Sequence, residues 1–132
     1  MRELRVSTER RSQLVDITRE VREAVAGQEG AAVLVYVPHT SAGVTLNERI
    51  DPELVADLER ALERIAGDAA DYSHDDVDGP NGPAHLRSTV VGTQLLIPLR
   101  EPGELALGPY QAIFFCEFDG PRDRSVFVSV LQ

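Results

Sequence analysis

The chain has 132 residues, 42% of them apolar and 27% charged, and a formal net charge of −9. That length suits one domain and that apolar share can build a core. The charge speaks against general binding to nucleic acid or to an anionic membrane, because an acidic surface repels phosphate groups.

All 13 basic residues are arginine and none is lysine. Schiff-base chemistry and a P-loop lysine are therefore excluded, and guanidinium is the only permanent side-chain cation available to a phosphate. Cys116 is the single cysteine, which excludes an intrachain disulfide and a four-cysteine zinc site. No apolar run approaches the roughly 18–20 residues that cross a bilayer. Residues 1–5, MRELR, lack the apolar stretch of a signal peptide, so a cytoplasmic protein is expected.

Residues 3–7 read as a first strand. Residues 18–27 read as a short helix, with Val21, Ala24 and Val25 on one face and Glu20 in the first turn. The run AAVLVYV at 31–37 is short and β-branched and predicts a central strand buried on both faces. Pro38 ends it, the loop HTSAG follows, and Val44, Thr45 and Leu46 begin another short strand. The clearest helix starts at Asp51 as N-cap with Pro52 in the first turn. Leu54, Leu58, Ala61, Leu62 and Ile65 mark its apolar face, Gly67 its stop, and Glu59 falls among the charges of the solvated side. Residues 71–83 are acidic and rich in Gly and Pro and read as a loop. Strands are expected at 89–91, 95–99, 110–118 and 125–131, the last two joined by the turn Asp119-Gly120-Pro121-Arg122. The fold class is α+β: a single domain over residues 1–132 with a mostly antiparallel sheet and two main helices covering part of it.

His39, His74 and His85 are the only histidines, and each lies beside turn residues or in a polar stretch. Three neutral imidazoles suit a zinc-type site with an open position. Their spacing carries no local metal signature, so either the fold brings them together or they are ordinary loop histidines. Glu48 and Glu117 sit next to apolar strand residues. A buried carboxylate there would have a raised pKa and could act as acid or base; the alternative for Glu117 is a structural ion pair with Arg122 or Arg124. Asn47 and Asn81 could orient a ligand through their amides, or serve turns. Arg87 would share a strand face with His85 and could clamp a phosphate; otherwise it is a surface arginine. Cys116, among apolar and acidic neighbours, is a packing residue rather than a nucleophile. Residues 40–43, TSAG, do not form the GxSxG elbow of a serine hydrolase.

Three segments together resemble the YjbQ family, also called the secondary thiamine-phosphate synthase family. They are PHTSAGVTLNE at 38–48, NGPAHLRS at 81–88, and the pair LGPYQ at 107–111 and FFCEFDGPR at 114–122. The resemblance implies an α+β sandwich-like domain, a homotrimer with sites near subunit interfaces, and a weak thiamine-phosphate synthase activity. It also implies that His39, His74 and His85 bind a divalent metal such as zinc. Asn47, Glu48, Arg87, Glu117 and Asp119 fall in matching polar motifs, and Thr40 and Ser41 in the first signature. Thr40, Ser41, Asn47, Asn81, Arg87 and Asp119 are thereby assigned to substrate binding and Glu48 and Glu117 to catalysis. Tyr110 replaces the family's usual Trp, and Arg49 stands where a smaller polar residue is expected.

The expectation is a metal-dependent enzyme on a small phosphorylated substrate, either a synthase-like transferase or a hydrolase. In the synthase version the metal and Arg87 neutralise a diphosphate leaving group. The competing expectation is a non-catalytic trimeric protein that binds metal or a small molecule. A third is purely structural: the histidines and carboxylates bond across a subunit interface.

Overall fold

Alternation at the C-terminus shows how the sheets are built. Arg124, Val126 and Val128 point inward along strand β7 (Asp123–Leu131), and the residues between them do not. β7 lies in a four-stranded antiparallel sheet with β1 (Arg2–Ser7), β3 (Ala32–Tyr36) and β5 (Gln94–Pro98), in the order β1-β7-β3-β5. A second antiparallel sheet, order β2-β6-β4, comprises β2 (Gln13–Asp16), β4 (Ala42–Glu48) and β6 (Gln111–Glu117). The computed structural model describes residues 1–49, 51–67 and 81–132.

The sheets pack face to face. Val33, Val35, Ile97, Val126 and Val128 from the first meet Val44, Ile113 and Phe115 from the second. Helix α1 (Thr18–Val25) adds Val21, Ala24 and Val25 to this core and touches both β6 and β7. Its start is held by Asp16, whose carboxylate accepts from the Thr18 N–H at 2.9 Å and hydroxyl at 2.6 Å.

A helical layer covers the other face of the second sheet. Leu62 of α2 (Pro52–Ile65) and Ala84 and Val91 of α3 (Gly82–Val91) pack with Leu14, Cys116 and Phe118. For this reason every residue from Ala112 to Phe118 is buried. Strand β3, expected to be buried on both faces, is not: Tyr36 is 40% exposed and Leu34 is half-buried. The strand buried on both faces is β6, because the helices cover the second sheet while no described element covers the outer face of the first.

The strand expected at 89–91 is the last turn of α3. Its inward residues are Gly82, Pro83, Ala84, Arg87 and Ser88, whereas Leu86 and Val90 are 44% and 58% exposed. With small and polar residues inside, the apolar residues carry no helical period that a sequence reading could detect. Gly82 and Pro83 therefore open a helix rather than end a loop; the rest of the expected 71–83 loop, through residue 80, lies outside the described residues. Strand β2 was not expected, being four half-polar residues. Glu59 leaves the solvated side of α2: its carboxylate accepts from the Leu14 N–H at 3.2 Å and pairs with Arg10. The Asp51 cap of α2 is as expected, its carboxylate accepting from the Glu53 N–H at 2.9 Å, but Ile65, expected on the packed face, is 59% exposed.

The helical layer approaches β4 closely. A Cβ on Gly43 would lie 2.6 Å from the Gly92 carbonyl oxygen. The Val44 N–H donates to that same oxygen at 3.1 Å, and the Ser88 hydroxyl donates to the Ala42 carbonyl at 2.6 Å. These contacts lock the C-terminal half of α3 to the start of β4, next to the loop that carries His39.

Candidate functional site

The β3–β4 loop crosses from one sheet to the other and carries His39, Thr40 and Ser41. His39 is half-buried, and its Nε2 accepts from the Ser125 backbone N–H of β7 at 2.9 Å. With Nε2 accepting, the ring proton sits on Nδ1. Burial lowers the His39 pKa below its ordinary value, and the positive charge of Arg124 adds to that effect. The imidazole is therefore neutral at pH 7, with its lone pair engaged by the Ser125 N–H.

His85, on the first turns of α3, reaches the same loop. Its Nδ1 lies 2.8 Å from the Thr40 carbonyl oxygen, a contact in which Nδ1–H donates to the carbonyl. Two histidines 46 residues apart in sequence thus meet one loop: His39 belongs to it and His85, from the helical layer, bonds to its Thr40 carbonyl. A cleft of about 310 Å³ opens there, lined by His39, Thr40, Ser88, Thr89, Gly92 and Thr93. His74 lies outside the described residues. Asn81, just before α3, holds a buried side-chain oxygen with no hydrogen-bond partner among the described residues.

Behind the loop lies a polar plug between the sheets. Glu117 of β6 is fully buried, and Arg124 of β7 is 5% exposed. Arg124 Nε donates to Glu117 Oε1 at 2.8 Å, and its second nitrogen donates to Oε2. The carboxylate also accepts from the Thr8 hydroxyl at 2.8 Å and from the Phe118 and Asp119 N–H groups, both at 3.1 Å. Burial alone would raise the Glu117 pKa. The hydrogen bonds from Arg124, Asp119 and Thr8 outweigh it and hold the group below the ordinary carboxylate value. This is the structural ion pair, with Arg124 as partner, and a depressed pKa is the opposite of what an acid catalyst needs. Arg124 also donates to the Ser41 hydroxyl at 3.0 Å, so Ser41 ties the plug to the loop.

The other expected site residues are dispersed. Arg87 lies on a helix, not a strand, and is 1% exposed. Its Nε and a terminal nitrogen donate to the Ala66 carbonyl at the end of α2, at 2.9 and 2.6 Å. It is neither a surface arginine nor a clamp open to a phosphate, but a tie between the two helices. Asp119 accepts from Arg122 at 3.0 Å within its turn. Asn47 accepts the N–H of exposed Glu48 at 2.7 Å. These two stand at the far end of β4 from His39, about 20 Å along the strand at ~3.3 Å per residue. Cys116 is buried, and burial, with the nearby charge of Glu59, pushes its thiol up to about 12, which makes it inert. Thr8, Ser88 and Thr93 were missing from the expected site, and Arg124 was expected only as one of two possible partners of Glu117. Only Arg124 left a signal, as an inward-facing arginine in an alternating strand just past the turn after Glu117.

The architecture is an α+β sandwich with one helical layer, and it places two histidines at the seam between the layers. The chain belongs to the YjbQ-like UPF0047 family, whose pattern (UPF0047 protein YjbQ-like) matches residues 2–132. A UPF0047 protein of Archaeoglobus fulgidus is 40% identical over 98% of this chain and 99% of its own. The Bacillus subtilis UPF0047 protein YugU is 36% identical over 99% and 98%. A crystal structure of a YjbQ/UPF0047 family protein from Clostridium acetobutylicum superposes with a TM-score of 0.91 at 38% identity, covering 99% of this chain and 100% of that one. The Aeropyrum pernix protein APE1520 does so with a TM-score of 0.91 at 38% identity, covering 98% and 96%.

Proposed function

We propose that the chain is a metal-dependent enzyme acting on a small phosphorylated molecule, with His39, His74 and His85 as ligands of a divalent metal, zinc by the chemistry of an imidazole set. The observation that carries this reading is the bond from His85 Nδ1 to the Thr40 carbonyl. Backbone carbonyls on the far ring nitrogen are the usual way a ligating imidazole is oriented and its tautomer fixed. For His39 to ligate, its Nε2 would have to release the Ser125 N–H, because the other ring nitrogen carries the proton. Among the described residues no group of three His, Cys, Asp or Glu side chains comes together, and the third ligand in this reading, His74, lies outside them. When bound, the metal would supply Lewis acidity toward a phosphate oxygen or a bound water.

The chain's own residues do the rest. Thr40 positions His85, and Ser88, Thr89 and Thr93 line the cleft beside His39. Asn47 and Glu48 join this site only across a subunit interface, as a homotrimer would allow. The uncovered outer face of the first sheet supports such an assembly: Tyr36 stacks on Phe127 at 6.4 Å between centroids, and Leu96 beside them is 63% exposed. A weak thiamine-phosphate synthase activity is one form of this reading.

The engagement of Arg87 and Glu117 inside the fold favours a second reading, a non-catalytic trimeric protein that binds a metal or a small molecule. Elemental analysis of untagged protein beside His39→Ala, His74→Ala and His85→Ala variants tests the metal. Stoichiometric zinc lost in each variant is expected, and equal metal in all four overturns the histidine site. Product release from phosphorylated substrates separates enzyme from binder.

A further inference from the structure

Away from the histidines, the opposite end of β4 carries a concentration of positive charge that the acidic chain does not neutralise. Arg22 of α1, Arg49 just after β4, and Arg100 just after β5 line a cleft of about 360 Å³. Glu104 and Gln111 share its lining, with Leu105, Leu107 and Pro109 as an apolar wall. An adjoining cleft of about 400 Å³ shares Arg22 and Arg49. Asp16, Arg19 and Glu20 also line it: Asp16 caps α1, and Glu20, 3.7 Å from Arg19, keeps one buried carboxylate oxygen without a hydrogen-bond partner among the described residues.

Elsewhere on this surface arginines meet carboxylates: Arg5 with Glu3, Arg10 with Glu59, Arg60 with Asp57, Arg122 with Asp119. Among the described residues, no carboxylate pairs with Arg22, Arg49 or Arg100. A chain with 22 acidic side chains and 13 arginines has carboxylates to spare, yet three guanidinium groups from three separate elements surround one space with a single carboxylate, Glu104, beside them. Repulsion by the net charge of the whole chain does not cancel this, because at physiological salt charges beyond about 8 Å are largely screened.

We propose that this cleft is a second ligand site, distinct from the histidine cleft, that binds a compact multivalent oxyanion of the diphosphate type. Planar guanidinium forks match phosphate oxygens two at a time. The volume exceeds that of a bare anion, and the Leu105–Leu107–Pro109 wall accepts the organic part of a phosphate ester. The site does not depend on the metal reading.

Titration calorimetry with inorganic diphosphate on the full chain tests it, with citrate as a second ligand and sedimentation velocity on each variant. Saturable diphosphate binding is expected. Arg22→Gln and Arg49→Gln should each weaken it by roughly tenfold, the loss of about one charge-assisted contact. Arg64→Gln, a charge change on exposed α2, should leave it intact. The absence of saturable binding overturns the proposal. So does equal affinity in the Arg22 and Arg49 variants, or citrate binding as tightly as diphosphate. If the two variants change the sedimenting mass while diphosphate affinity stays constant, the arginines belong to a subunit contact and the anion site is wrong.

Discussion

Arg124 and Glu117 stand on strands of different sheets and meet inside the sandwich, where the guanidinium of one grips both oxygens of the other's carboxylate. They join the two sheets at the end of the interior where the His39 loop crosses. Removing either charge leaves the other buried without a counter-ion, a situation that costs about 3–5 kcal/mol. Glu117→Gln should therefore lower stability by about that amount, read from urea unfolding midpoints. A loss under 1 kcal/mol, about that of an exposed pair, would mean that water reaches the pair in solution.

Acid should destabilise the fold in two stages. His39 has a lowered pKa, chiefly through burial and then through Arg124. The unfolded chain therefore binds more protons than the folded one below about 6.5, and the stability due to neutral His39 is lost as pH falls toward its folded pKa. Glu117 is likewise held below the ordinary carboxylate value. Its contribution is complete above about 4.3 and is lost as pH falls through the depressed folded pKa. Unfolding midpoints from pH 7.5 to pH 3 should fall continuously, and His39→Gln should flatten the upper part of that curve. A rise in stability between pH 7 and pH 6 would show that His39 is charged in the fold.

Gly43 tests the seam between helix and sheet. An alanine there would set its Cβ 2.6 Å from the Gly92 carbonyl and 3.1 Å from a Val91 methyl. Backbone cannot yield as a flexible side chain does, so Gly43→Ala should cost about 1–3 kcal/mol. It should also shift the amide resonances of Val44 and Gly92, in a protein whose first sheet is otherwise unchanged. An unaltered melting temperature would mean that α3 sits farther from β4 than described.

The outer face of the first sheet tests assembly. Leu96→Asp places a charge on the exposed apolar face beside Tyr36 and Phe127. If that face joins copies of the chain, the variant should sediment as a monomer while the unaltered protein sediments as a trimer. Identical sedimentation of the two would move the interface elsewhere.

Strands β3 and β7 and helix α2 were legible because apolar period, turn chemistry and capping agreed in each. Helix α3 was not, because its packed face is made of Ala84, Ser88 and Arg87 while Leu86 and Val90 face outward. The misreading spread to the site. Taking residues 89–91 as a strand put Arg87 beside His85 as a phosphate clamp, when it is a buried tie to the end of α2. The convergence of His39 and His85 could not be read from spacing, since it depends on how the helical layer docks. The resemblance to the family motifs grouped those histidines, but grouped with them Asn47 and Glu48, which the fold holds at the far end of β4.

The helical layer rests on a small cluster: Ala84, Cys116 and Phe118, with Leu14, Leu62 and Val91 around them, and α2 contributes no fully buried side chain. The sandwich beneath owns the much larger core. Local opening of such a layer needs far less free energy than global unfolding. His39 belongs to the durable part of the molecule and His85 to the part that lifts. The two therefore separate whenever the layer opens, and the lifetime of anything they hold jointly is bounded by the opening rate of α3.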